Sequence, residues 1–190
     1  MGCSMLRFNA EKHQYLLDGV VLPSVTQVLR SVGLINFSGI DQEILNRASA
    51  LGTAAHQACH YDDLGDLDES TLDHHLKPYL EAWRAFRGDM LFYSIEQPLC
   101  HPDYGFAGTP DRIAGKTIID IKTSSVVYPW TGLQLAGYSI LADIPTARRL
   151  AVQLKPDGKY SVTEYTDRND RACFLSCLAI YNWKFNNGSR

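Results

Sequence analysis

Two short apolar runs joined through Gly115, residues 105–114 and 116–123, constrain this chain more than any other feature, because each holds a carboxylate that an apolar strand has no ordinary use for. Glycine suits the tight turn between antiparallel strands, so the runs are expected to form a strand pair. Asp111 lies in Gly108-Thr109-Pro110-Asp111-Arg112-Ile113, and Asp120 lies in Ile118-Ile119-Asp120-Ile121-Lys122-Thr123. An unpaired charge among isoleucines is costly unless an amine or a cation compensates it. The strand period of two sends Asp120 and Lys122 to one face and Ile121 to the other, so the carboxylate and the ammonium are expected to share a site. Two carboxylates and an amine at neighbouring strand ends suit a hard divalent cation, which binds oxygen and can activate water against a phosphodiester. Either aspartate alone could equally be a turn-flanking carboxylate.

Thr109-Pro110-Asp111, Asp120-Ile121-Lys122 and Gln134-Leu135-Ala136-Gly137-Tyr138 together resemble the motifs of the PD-(D/E)XK nuclease superfamily. They are most similar to its RecB-type branch, which includes phage exonucleases and a mitochondrial genome maintenance exonuclease. Upstream, Leu22-Pro23-Ser24-Val25-Thr26 and Gly52-Thr53-Ala54-Ala55-His56 resemble the amino-terminal motifs of that branch, so the resemblance spans roughly residues 13–140. It implies a restriction-endonuclease-like core with Asp111, Asp120 and Lys122 as catalytic residues. It further implies one or two Mg²⁺ or Mn²⁺ ions held by His56, Asp111, Asp120 and the carbonyl of Ile121, with Glu96 as a further ligand. Gln134 and Tyr138, four apart on one helix face, would contact the nucleic-acid backbone or steady the lysine, and Thr123 could bond phosphate oxygens. The implied activity is hydrolysis of DNA in recombination, repair or replication, most simply from DNA ends. An endonuclease with structure or sequence preference and a non-catalytic DNA-binding module of the same fold are the alternatives.

The 190 residues fit a single domain, 1–190, with an amino-terminal hairpin and helices (1–90) packed on the core. Nothing is apolar enough over a sufficient length to span a membrane. Met1-Gly2-Cys3-Ser4 begins like a lipidation signal, but Leu6 stands where that pattern wants Ser or Thr, so the terminus is expected to be untargeted. Five cysteines at irregular spacing do not make a disulfide framework, which points to a reducing, cytoplasmic setting, and the small size fits a bacterial or phage-infected cell. Cys173 and Cys177 lack the third neighbour of an iron–sulfur cluster, so none is expected, and both are read as partly buried thiols. The net charge of −3 argues against binding nucleic acid through bulk charge. Residues 1–110 carry 7 Lys and Arg against 14 Asp and Glu, whereas residues 111–190 carry 11 against 7, so the half with Asp120 and Lys122 is the basic one. Arg84, Arg87, Arg112 and Arg149 are among the residues available to contact phosphates. DNA is the expected partner, with a recombination or replication protein as a second; the oligomeric state is open.

Periodicity predicts a hairpin from His13 to Leu22 around Asp18-Gly19, then a short helix capped by Ser24. Further helices are expected over 41–60 and 70–87, with an acidic solvated loop at 61–69 between them and Pro78 kinking or restarting the second. Strands over 91–97, 105–114 and 116–123 precede a helix from Trp130 to Leu141, a hairpin of 149–154 and 160–165, and a last helix over 167–184. This order describes an α/β chain, mixed α+β in character, with a central mixed sheet flanked by helices.

Overall fold

The computed structural model describes residues 5–188, so Met1-Gly2-Cys3-Ser4 lies outside it. The chain opens with three antiparallel strands, β1 (Leu6–Asn9), β2 (Gln14–Leu17) and β3 (Val20–Leu22). Asp18 and Gly19 join β2 to β3 with φ of 50° and 85°, the two positive values a type I′ turn requires. The expected hairpin thus gains a third strand, whose Leu6 packs with Tyr15, Leu17 and Leu22. Ser24 then caps α1 (Val25–Ser31): its hydroxyl accepts the Gln27 amide while the Gln27 side chain accepts the Ser24 amide.

Helix α2 (Gln42–Leu64) continues one turn past His60 and ends at Gly65, which is left-handed. Residues Tyr61–Leu64, expected in a solvated loop, are helical because Asp62 and Asp63 point at Arg84, Arg87 and Arg112 rather than at water. Ser70 caps no helix, since its amide donates to Asp68. Instead α3 (Lys77–Arg87) carries Pro78 in its first turn, where a missing N–H costs nothing.

The remaining elements are β4 (Ser94–Ile95), β5 (Leu99–His101), β6 (Phe106–Gly108), β7 (Arg112–Ala114), β8 (Thr117–Lys122), α4 (Trp130–Leu141), β9 (Arg148–Leu154), β10 (Tyr160–Glu164) and α5 (Asp170–Asn187). The run expected to form one strand over 105–114 is two. Pro110 has no N–H to give a ladder, and β6 pairs with β5 while β7 joins the main sheet. That sheet has the order β10-β9-β8-β7-β4 and is mixed: β8 and β9 run parallel across the α4 crossover, and the other neighbours are antiparallel. Ile113 and Ile118 face α1, α4 and α5 through Val28, Leu135 and Phe174. Ile119, Ile121, Leu150 and Val152 face α2 and α3 through Ala55, Cys59 and Trp83. The fold is therefore mixed α/β with helices on both sheet faces. Among the described residues no helix is long and apolar enough to cross a membrane.

Candidate active site

The break at Pro110 turns Asp111 back towards the end of β8. Its Oδ2 accepts the Ile121 amide at 2.6 Å, and its Oδ1 lies 3.6 Å from His56 Nδ1. His56 Nε2 in turn lies 3.0 Å from the Ile121 carbonyl oxygen. Two backbone groups of one residue thereby meet two side chains from α2 and the β6–β7 loop. Ile121 packs its side chain against Ala55 and Cys59 of α2, which holds the end of β8 beside the helix that carries His56. A Cβ on Gly52 would stand in van der Waals contact with Thr123 Oγ1, at 3.4 Å. Thr123 thus sits against α2.

Asp120 and Lys122 face α4 as the period of two predicts. Lys122 Nζ lies 2.6 Å from Asp120 Oδ2 and donates to Gln134 Oε1 at 3.2 Å, and Gln134 Nε2 donates to the Tyr138 hydroxyl at 3.1 Å. Gln134 and Tyr138 are 5% and 6% exposed, which ties them to the lysine through protein contacts. Lys122 also stands 5.7 Å from the centre of the Trp130 ring. Burial pushes the Asp120 carboxyl above its ordinary range against the pull of Lys122. Burial works against the Lys122 ammonium too, but the carboxylate beside it outweighs this and raises the lysine. Burial and the charges of Asp120 and Asp111 keep the Tyr138 phenol protonated.

Glu96 follows β4 with a positive φ of 48° and donates its amide to the Asp111 carbonyl at 3.0 Å. Its carboxylate is shared by Arg112 Nη1 at 3.2 Å and His60 Nδ1 at 3.2 Å, so His60, one turn beyond His56 on α2, also stands against a residue of the site. Arg112 is not a phosphate contact. It is fully buried, bonds Asp63 Oδ2 at 2.6 Å and the Asp111 carbonyl at 2.7 Å, and lies over the Trp83 ring, whose Nε1 also donates to Asp63. Arg84 and Arg87 are committed to Asp62, and Arg149 to Asp170 and the Gly132 carbonyl. Sequence reasoning missed Asp63. The signal for it was Arg112 itself, a cation in an apolar strand that needs a buried partner.

His56, Glu96, Thr109, Asp111 and Tyr138 line one cleft of about 660 Å³, walled on one side by Gly52, Thr53 and Gln57 of α2 and on the other by Phe8, His13 and Tyr15 of the hairpin. The Tyr15 hydroxyl and Thr109 Oγ1, 2.8 Å apart, pin the hairpin to the site. The donor set suits a divalent cation. Asp120 Oδ2 is buried with no hydrogen bond of proper geometry even beside Lys122, which leaves it a lone pair for a ligand. His56 Nε2 and the Ile121 carbonyl oxygen stand at hydrogen-bond distance, and with Nε2 unprotonated both would be free to serve as ligands of a cation. No three of His56, Glu96, Asp111 and Asp120 bring their ligand atoms within 4.8 Å of one another. Among the described residues the one trio of His, Cys, Asp or Glu with ligand atoms within 4.8 Å is the exposed Asp73, His74 and His75. The cysteines differ from expectation at one position: Cys173 is exposed, while Cys177 is half-buried.

No protein-family model matches the chain, and no curated protein does. Solved structures do. An alkaline exonuclease from Laribacter hongkongensis is similar at 14% identity and a TM-score of 0.42, over 86% of this chain and 90% of that one. The structure of SSO0001 is similar at 18% identity and a TM-score of 0.37, over 87% and 86% of the two chains. The case for an activity rests on the site's own residues.

Proposed function

We propose that the chain is a metal-dependent deoxyribonuclease, an exonuclease, with Asp111, Asp120 and Lys122 as its catalytic residues. The observation that carries this reading is the convergence on β8: Asp111 and His56 on the two backbone groups of Ile121, with the Asp120–Lys122 pair on either side of that residue. His56, Asp111, Asp120 and the Ile121 carbonyl would hold Mg²⁺ or Mn²⁺, with Glu96 at the margin. Such an ion supplies Lewis acidity, lowering the pKa of water and neutralising charge that builds on a phosphate.

The chain's own contribution is positioning. Lys122, kept as an ammonium by Asp120 and oriented by Gln134, offers N–H donors to phosphate oxygens and to an attacking water. Tyr138 fixes Gln134, and Arg112 fixes Glu96 and the Asp111 backbone from behind. A charge that develops beside Lys122 therefore meets donors that need no reorganisation.

The test is degradation of end-labelled linear DNA and of closed circular DNA with Mg²⁺, Mn²⁺ or EDTA. Metal-dependent loss of the linear form alone, abolished by Asp120→Ala and Lys122→Ala, is the expected result. Loss of the circle as well would make the enzyme an endonuclease. Binding of DNA without cleavage under every condition would replace catalysis with a binding role.

A further inference from the structure

The cleft contains an apolar wall that the proposed chemistry does not use. Phe8, on β1, is 37% exposed, and its ring lies 5.3 Å from that of His13 at 87° and 4.7 Å from that of Tyr15 at 36°. Tyr15 is only 2% exposed, so it backs the other two rings instead of presenting a face. His13 holds a positive φ of 46°, an uncommon conformation for a residue with a side chain. The group belongs to the cleft and not to a remote surface, because Phe8, His13 and Tyr15 line the same space as His56 and Asp111. The Tyr15–Thr109 bond sets the wall's distance from Asp111.

The rest of the lining decides what that wall is for. Glu96 and Asp111 are the charged carboxylates of the cleft, and none of the residues that line it is Lys or Arg. Lys122, which the proposed chemistry sets against the scissile phosphate, lies outside that lining, so the rest of a ligand's backbone finds no lysine or arginine along the cleft wall. Aromatic faces hold nucleic acid by another route: every base has a π-face, and stacking on a ring is tolerant of sequence. A duplex end keeps its bases stacked on each other, whereas an unpaired base can offer a face to the protein.

We infer that the cleft takes an unpaired nucleotide, whose base stacks on the exposed Phe8 ring with His13 at right angles to it, while its phosphate lies towards Asp111 and His56. The inference rests on the nuclease reading for the role of that phosphate, and it names the substrate class as single-stranded or frayed ends.

The experiment measures binding in EDTA, where cleavage does not intervene, of fluorescent oligodeoxythymidylate and of a blunt duplex of equal length. The variants are Phe8→Ala, His13→Ala and Phe8→Trp. Phe8 is partly exposed, so its replacement leaves the core intact, and circular dichroism checks this. The wild type is expected to prefer the single strand. Phe8→Ala should weaken that binding by about fivefold to a hundredfold with little change for duplex, and Phe8→Trp should restore it and add a tryptophan signal quenched by the oligonucleotide. Equal affinity of wild type and Phe8→Ala for the single strand, or a wild-type preference for blunt duplex, would overturn the inference. Cleavage by the wild type with Mg²⁺ is read separately. Activity with unchanged Phe8→Ala binding keeps the nuclease and discards the stacking wall, and stacking without any cleavage does the reverse.

Discussion

Asp111 accepts the amide hydrogen of Ile121 at 2.6 Å, so the carboxylate that follows Pro110 is locked to the backbone of the strand that carries Asp120 and Lys122. The bond uses Oδ2 and leaves Oδ1 towards His56. One aspartate therefore both aligns two elements and faces the cleft.

Asp111→Asn separates these two tasks. Its amide oxygen can still accept from Ile121, while the NH₂ group turns a donor towards the place where a cation would need an acceptor. The fold should survive and divalent binding should not. A ligand present at a hundred times its dissociation constant stabilises the native state by about 2.7 kcal/mol, or roughly 5–11 °C in Tm for a chain of this size. Saturating Mg²⁺ or Mn²⁺ should raise the wild-type Tm by that order and leave Asp111→Asn unmoved. Equal shifts in both proteins would remove Asp111 from the binding set.

Lys122 and Asp120 are expected to behave as a unit in stability as well as in cleavage. Removing only the lysine leaves a carboxylate, 2% exposed, without its counter-charge, and breaking such a pair costs about 3–5 kcal/mol. Lys122→Met alone should therefore be more destabilising than Lys122→Met with Asp120→Asn, as measured by urea denaturation. Both proteins should lose DNA cleavage by about 10²–10³-fold or more. A double variant less stable than the single one would mean that the pair does not compensate across this site.

Much of the scaffold was legible in the sequence because local rules governed it. Trp130–Leu141 forms as the apolar spacing predicts, Asp18-Gly19 makes its turn, and Gln134 and Tyr138 meet because residues four apart share a helix face. The alternation around Ile121 was equally readable, since strand geometry alone assigns the faces. The parts that were not legible depend on partners distant in sequence. Asp63 and Arg112 are 49 positions apart, and no local pattern announces that the acidic end of α2 is buried on a strand arginine. Glu96 could be assigned to a strand region, but not the positive φ that directs it to Arg112 and His60. The split of the 105–114 run was signalled by Pro110, whose missing N–H outweighed the apolar pattern around it.

Arg112 predicts a case in which the usual conservative exchange fails. Its planar fork meets Asp63, Glu96 and the Asp111 carbonyl in three directions, and a lysine ammonium cannot span all three. Arg112→Lys should lose stability by about 1.5–3 kcal/mol, the worth of a charged hydrogen bond, and should also weaken Mn²⁺ binding measured by calorimetry at a temperature where the variant is folded. A loss of stability with unchanged Mn²⁺ affinity would confine the arginine to holding the fold.

Asp62 gives a dependence on acid that the site itself does not complicate. Burial alone would raise its carboxyl, but hydrogen bonds from Arg84 and Arg87 outweigh this and hold it below the ordinary aspartate range. A carboxylate whose pKa is lower folded than unfolded stabilises the protein fully above the unfolded value. It loses that contribution as pH falls through the folded one. Asp62→Asn should accordingly cost about 1.5–3 kcal/mol at neutral pH, and the gap between variant and wild type should close as the pH is taken below about 3.8. Denaturant titrations of both proteins at neutral and at strongly acidic pH measure the gap directly. A difference that stayed constant with pH would mean that the hydrogen bonds of Asp62 rather than its charge hold α3 against α2.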